Sequence, residues 1–228
     1  QLQGGRVGQA TNLLRALVVR EPDSPDGIWA RNVALPLYQK AGGPWAPLSA
    51  REHLDGAVAF RRAKRFDKAR ERLRELDSEW KSDGTAAELR RLIPFEIAIT
   101  EFRAGSFDSA EAGFRLLIKE ARSPEQADGY RFWLAWTFQK QAKSVDASKL
   151  FEQIYNRHAR EDSARPHLLR AIDALKKSQE TARLARLYER LGVDFPNHGG
   201  SVELAFRAVR VLVDAGFFKE GRAAAGRF

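Results

Sequence analysis

The chain has 228 residues, 43% hydrophobic and 10% aromatic, a composition that excludes a disordered polymer. It has no cysteine, which excludes disulfides, thiolate metal sites and a cysteine nucleophile, and no methionine. Lys and Arg outnumber Asp and Glu 39 to 30, a net charge of +9 that favours acidic partners, but no basic block exceeds two residues. No window approaches the ~18 consecutive apolar residues of a membrane span. Gln1-Leu2-Gln3-Gly4-Gly5 carries neither the basic nor the apolar stretch of a secretory signal.

In chain order, residues 7–20 read as a lone amphipathic helix ended by Glu21-Pro22-Asp23-Ser24-Pro25. A linker helix over 26–39 and a loop at Gly42-Gly43-Pro44 follow, and Pro36 is expected to kink or shorten that helix. Five helix–turn–helix units come next, over approximately 50–79, 86–121, 126–158, 164–191 and 201–228. Their first helices are expected over 50–62, 86–103, 126–141, 164–177 and 201–214, and their second over 67–79, 108–121, 145–158, 181–191 and 219–228.

The units are defined by equivalent positions after each turn. Phe66, Phe107, Ser144, Thr181 and Phe218 stand 41, 37, 37 and 37 residues apart. Three residues later come Ala69, Ala110, Ala147, Leu184 and Gly221; seven later Leu73, Phe114, Phe151, Tyr188 and Ala225; ten later Leu76, Leu117, Ile154, Leu191 and Phe228. Offsets of 3, 7 and 10 share one helical face. A small residue at the first lets a second helix approach, and large ones at the others fill the space beside it. The same offsets place Val7, Ala10, Leu14 and Leu17 in a half unit at the start. Because repeats cannot bury their faces alone, the array is expected to be cut at both ends and the parent protein to continue.

The small-x-x-x-large-x-x-large pattern after a turn, with Pro196 closing one unit, resembles a degenerate tetratricopeptide repeat lacking the signature Trp and Gly. That resemblance implies an all-α fold: an α-solenoid of tetratricopeptide-like helix pairs forming a single curved superhelix. Three stretches are similar to the superhelical N-terminal region of bacterial soluble lytic transglycosylases. They are Leu13-Leu14-Arg15-Ala16-Leu17-Val18-Val19-Arg20 through Pro25, Tyr130-Arg131-Phe132-Trp133-Leu134-Ala135-Trp136, and Tyr188-Glu189-Arg190-Leu191-Gly192-Val193-Asp194-Phe195-Pro196-Asn197-His198 continuing into Leu204-Ala205-Phe206-Arg207-Ala208. The resemblance implies a non-catalytic scaffold of a periplasmic, peptidoglycan-cleaving enzyme. That family's Glu-Ser and Gly-Leu-Met-Gln motifs are absent here. The competing expectation is a stand-alone adaptor binding a partner protein with an acidic segment in an envelope complex. Nucleic acid is disfavoured, because the basic residues are not interleaved with aromatic stacking positions.

Catalytic residues and cofactors are not read from this sequence. His53, His158, His167 and His198 show no metal-ligand spacing, and there is no Walker loop or GxGxxG. Glu96 and Glu101, on the apolar helix around Ile97, fit helix–helix hydrogen bonds better than acid–base chemistry. The candidate binding residues lie four positions before each reference point: Arg62, Arg103, Lys140 and Lys177, followed by Asp214. They are a cationic ladder for acidic peptide tails, wall-peptide carboxylates or phosphates, or simply the cations that offset a helix C-terminus. Trp136 is the aromatic expected to face a groove, where it could stack on a sugar or anchor a peptide, while its aromatic neighbours fill the core.

Overall fold

The structure, a computed structural model, describes residues 2–43, 48–79, 89, 91–159, 161–176, 178–196 and 200–227. The described residues form helices and turns with no strand, and the chain divides into two compact units, Gln1–Gly113 and Phe114–Phe228.

The first unit begins with α1 (Leu2–Arg20), which packs against α2 (Pro25–Trp29) and α4 (Ala50–Arg62). Ser24 caps α2 through the Gly27 amide, and Pro25 occupies the first turn, where no N–H is needed. Gly27 allows the closest approach in this region: a Cβ there would lie 1.8 Å from the Glu21 carbonyl oxygen. α2 runs through a π turn, Ala30–Ala34, into α3 (Leu35–Lys40). The helix therefore does not stop at Pro36. The ring would clash with the carbonyl four residues back, and the widened π turn just before Pro36 relieves that clash.

The segment α4 is opened by a reciprocal capping box between Ser49 and Glu52. Its buried face, with Leu54, Ala57 and Phe60, meets α5 (Phe66–Glu79), whose Ala69, Leu73 and Leu76 are almost fully buried. α6 (Ile93–Ala104) then packs on both α4 and α5. The expected start of this helix at 86 lies outside the described residues. α7 (Phe107–Lys119) follows, and its Gly113 approaches Ala98 so closely that an added Cβ would sit 3.0 Å from the alanine methyl.

The second unit contains α8 (Pro124–Lys140), α9 (Ser144–Arg157), a 3₁₀ turn (Asp162–Ala164), α10 (Arg165–Leu175), α11 (Thr181–Asp194), α12 (Ser201–Asp214) and α13 (Phe218–Ala225), each packed on the next. Its core joins Phe151, Ile154 and Tyr155 of α9 to Leu168, Ile172 and Leu175 of α10 and Leu187 and Leu191 of α11. Burial of each such side chain contributes about 1.5–3 kcal/mol. In the last pair the register departs from the sequence reading: Gly221 and Ala224 are buried and Ala225 is exposed, while Phe228 lies outside the described residues. α12 also turns Val202, Phe206 and Val213 to solvent.

One turn recurs between paired helices. Lys64, Gly105, Ala142 and Gly216 all have φ between 59° and 83°, each two residues before its reference position. In each case the following amide (Arg65, Ser106, Lys143, Phe217) donates to the carbonyl five residues back (Phe60, Glu101, Phe138, Leu212), at 2.8–3.0 Å. This is a Schellman closure, which satisfies carbonyls left open at the helix end. Two of the four positions carry a side chain in a conformation that disfavours one.

The strain at these turns and the tie at Glu52 can each be measured. Ala142→Gly should stabilise the protein by about 0.5–1 kcal/mol, and Gly105→Ala should destabilise it by a similar amount, both read from urea midpoints. The Glu52 carboxylate receives both Arg15 Nε and Nη2 at 2.6 Å and the Ser49 amide at 2.9 Å. The Arg15 hydrogen bonds, helped by Ser49, hold its pKa down to about 2. A lowered carboxyl pKa contributes stability above the unfolded value of about 4.3 and loses it as pH falls toward 2. Glu52→Gln should therefore flatten the stability–pH curve across that interval and cost about 1–2 kcal/mol at pH 7, measured by urea melts from pH 7 to 2.

Candidate functional site

The polar side chains between helices are organised at the repeat spacing. Arg15 of α1 pairs with Glu52 of α4, Arg61 of α4 with Glu96 of α6, and Arg70 of α5 with Glu101 of α6. In the second unit Arg183 of α11 donates to Glu152 of α9 at 2.6 and 2.9 Å, Tyr155 of α9 to Asp194 of α11, and Arg227, beyond α13, to Glu189 of α11. These partners are 31 to 39 residues apart, about one repeat. Glu96 and Glu101 thus hold neighbouring helices together. Tyr155, fully buried, has its phenol pushed up to about 12 by burial and by the Asp194 carboxylate, and Arg190 lies 4.6 Å over its ring.

The expected cations sit at helix ends. Arg62, the last residue of α4, is exposed; Arg103 is exposed in the last turn of α6, with its guanidinium 5.9 Å from the Phe102 ring; Lys140 ends α8 and is exposed. Lys177 lies outside the described residues. Asp214 is paired with Arg210 at 3.4 Å. Arg62 and Arg103 belong to the first unit and Lys140 to the second.

Arg62 lines a cleft of about 640 Å³ formed by the end of α1, the Glu21–Ser24 turn and one side of α4. Pro22, Val58, Ala59 and Ala63 give it apolar walls, and Arg20 supplies a second guanidinium. Of its three carboxylates, Glu21 is exposed beside Arg20 and the two aspartates are already engaged: Asp23 by Lys68 at 2.7 Å and Arg65 at 3.2 Å, Asp55 by Arg51 at 3.2 Å. The Lys68 hydrogen bond, with the nearby cations, holds the Asp23 carboxyl below its usual range. Arg20 and Arg62 make no ion pair or side-chain hydrogen bond with another described residue. Arg20 is absent from the sequence expectation. It stands outside the periodic series and reaches the cleft only because the turn after α1 brings it beside α4.

A second cleft, about 440 Å³, lies among α8, α9 and the 3₁₀ turn leading into α10. Asp128, His158, His167 and Trp133 line it. Arg131 and Arg157 each approach the Asp128 carboxylate to 2.8 Å. His158 stands between Asp128, at 4.0 Å, and Glu161, at 3.5 Å. Burial, then the neighbouring Arg170, keeps the His167 pKa below its ordinary value. His53 accepts from Arg72 at 2.7 Å, and His198 lies outside the described residues. Among the described residues no three His, Cys, Asp or Glu side chains form a metal-holding group, and no helix is long and apolar enough to cross a membrane.

Trp136 is half-buried. Its ring meets those of Phe132 and Phe151 edge-on, each at 6.3 Å, against the core of the second unit.

No family model matches the chain, and no curated protein matches it. Solved structures do. The chain is similar to the tetratricopeptide-like repeats of a kinesin light chain described as putative, from Podosopora anserina, at 15% identity and a TM-score of 0.53, covering 77% of this chain and 91% of that one. A single-residue variant of the same repeats gives 14% and 0.52, covering 78% and 91%. BtubC (BKLC) from P. vanneervenii gives 14% and 0.51, covering 98% and 87%. At these identities the likeness is one of fold. The fold is that of a tetratricopeptide-like helical repeat solenoid, and the resemblance to lytic transglycosylases has no counterpart among these matches.

Trp136→Ala should lower the stability of the second unit by about 2–3 kcal/mol, since a half-buried ring loses part of the contacts of a buried one. Thermal unfolding of the variant beside the wild type measures the loss.

Proposed function

We propose that this chain is a protein-interaction scaffold that holds an acidic segment of a partner protein in the cleft between α1 and α4. The observation that carries this reading is the pair Arg20 and Arg62, two guanidiniums without a carboxylate partner among the described residues, beside an apolar wall. Guanidinium binds carboxylate through parallel hydrogen bonds, and the apolar wall desolvates them. The repeat architecture supports the same reading, because stacked helix pairs present extended surfaces. The net charge of +9 would also speed encounter with an acidic chain.

The finer reading, the scaffold of a peptidoglycan-cleaving enzyme in the periplasm, is supported by the wording of the three sequence stretches. Sedimentation with purified peptidoglycan separates it from the adaptor reading: an adaptor stays in the supernatant.

The test is fluorescence anisotropy of a labelled peptide of alternating Glu and Ala. It should bind the wild-type chain saturably, and Arg20→Ala combined with Arg62→Ala should weaken it at least tenfold, the equivalent of about 1.4 kcal/mol. The thermal midpoint should not move, since both side chains are exposed. Unchanged affinity in the double variant would remove the cleft from the proposal.

A further inference from the structure

The outer face of α12 is apolar and open where the same face of the earlier repeats is covered or polar. Twelve residues before each reference position stand Leu54, Phe95, Phe132, Leu169 and Phe206. Leu54 is buried, and Phe95, Phe132 and Leu169 are half-buried. The Phe132 ring, for example, meets that of His167 on the next first helix at 6.0 Å. Phe206 is 65% exposed. The positions on either side of it differ too. Val202, 83% exposed, stands where the earlier repeats carry Ala50, Arg91, Asp128 and Arg165. Val213, 40% exposed, stands where they carry Arg61, Phe102, Gln139 and Lys176. A repeat face left to water is expected to be polar, and this one sets two valines beside an aromatic ring.

Val202, Phe206, Val209 and Val213 fall within about 60° of arc at 3.6 residues per turn, so they form one stripe. Val209 is half-buried and rooted against the cluster of Ala185, Leu212 and Ala224. Along the solvent side of the stripe lie Glu203 with Arg207, paired at 2.6 Å, and Arg210 with Asp214, paired at 3.4 Å. These four exposed charges sum to zero, in a chain of net charge +9. A strongly acidic or basic ligand has no local field to follow here.

The spacing of the stripe and the order of its flanking charges select the occupant. Steps of four, three and four residues read the same in both directions. About a two-fold axis between Phe206 and Val209, a second α12 runs antiparallel to the first, with Val213 facing Val202 and Val209 facing Phe206. The same rotation brings Arg210 of one copy beside Glu203 of the other, on both sides of the axis. Exposed pairs within one helix are weak, so these side chains are free to re-form their pairs across the axis. We infer that this chain forms a two-fold dimer through α12, the apolar stripes of two copies packed antiparallel. One helix face per copy buries less than the about 1,200–2,000 Å² of a standard interface, so the dimer is reversible and dissociates in the micromolar range.

The test is sedimentation velocity of the full chain over about 1 to 300 μM, a range that brackets micromolar dissociation. The wild type should exchange between monomer and dimer with concentration. Phe206→Glu should weaken the dimer at least tenfold. Arg210→Glu should also weaken it, because two carboxylates then meet on each side of the axis. Glu203→Arg combined with Arg210→Glu should restore it, a rescue that a local effect on α12 would not give. The substituted side chains are exposed, so the circular dichroism of each variant should match the wild type. The Arg20→Ala, Arg62→Ala variant should dimerise as the wild type does, which separates this face from the acidic-peptide cleft. A chain that stays monomeric throughout overturns the inference and leaves the face to a helix of another protein. A dimer indifferent to Phe206→Glu, or a charge swap that fails to restore association, overturns it as well.

Discussion

Everything in this fold depends on how near one helix can come to the next. Ala69, Ala110 and Ala147 are completely buried at the same register, and Gly113 meets Ala98 so closely that another carbon there would press on the alanine methyl at 3.0 Å. A methyl group at the crossing lets two backbones approach, and the large side chains one and two turns later, Leu73 and Leu76 or Phe151 and Ile154, then fill the flanking space. A longer side chain at the crossing would separate the helices and leave those flanking side chains without contacts on one face.

The remaining polar groups are arranged around that contact. Helices so closely packed cannot hold an unpaired charge between them, and the carboxylates at the seams are met by arginines or a tyrosine from the adjoining repeat. The net positive charge is therefore not a measure of free cations. Much of the arginine content is engaged within the array, and the two clefts differ in their lining: Arg20 and Arg62 stand at the one in the first unit, and Glu125, Asp128 and Glu161 at the one in the second.

The helix pairs were legible because amphipathic periodicity is a local property: the faces carrying Ala69, Leu73 and Leu76, or Ala147, Phe151 and Ile154, repeat in the letters themselves. The turns were only half legible. Gly105 and Gly216 announce a left-handed residue, whereas Lys64 and Ala142 adopt the same φ with no glycine to mark it. Glu96 and Glu101 stood out as carboxylates on an apolar helix, but their partners Arg61 and Arg70 sit in a different repeat and could not be named from spacing. The clefts were the least legible. Arg20 is brought to Arg62 by the turn after α1, and His167 to Asp128 by the turn after α9, and neither turn is marked by the amphipathic pattern of the helices it joins. Trp136 illustrates a related limit. Helical position placed it at the border of the apolar face, and only the arrangement of Phe132 and Phe151 around it determines how much of the ring the core takes up.

The ties one repeat apart bear on how such an array can grow. Because each arginine and its carboxylate lie in different repeats, copying one helix pair within the gene duplicates halves of ties and the whole of none: the pair 50–79 carries Glu52, Arg61 and Arg70 but none of their partners. The inserted copy meets a matching half only where the same position recurs: the place of Glu101 in its repeat is held by Phe60 in the repeat before, so a second copy of that earlier unit would set Arg70 against an aromatic ring. An array bound in this way can lengthen by whole repeats only if the charges at each new junction change with it.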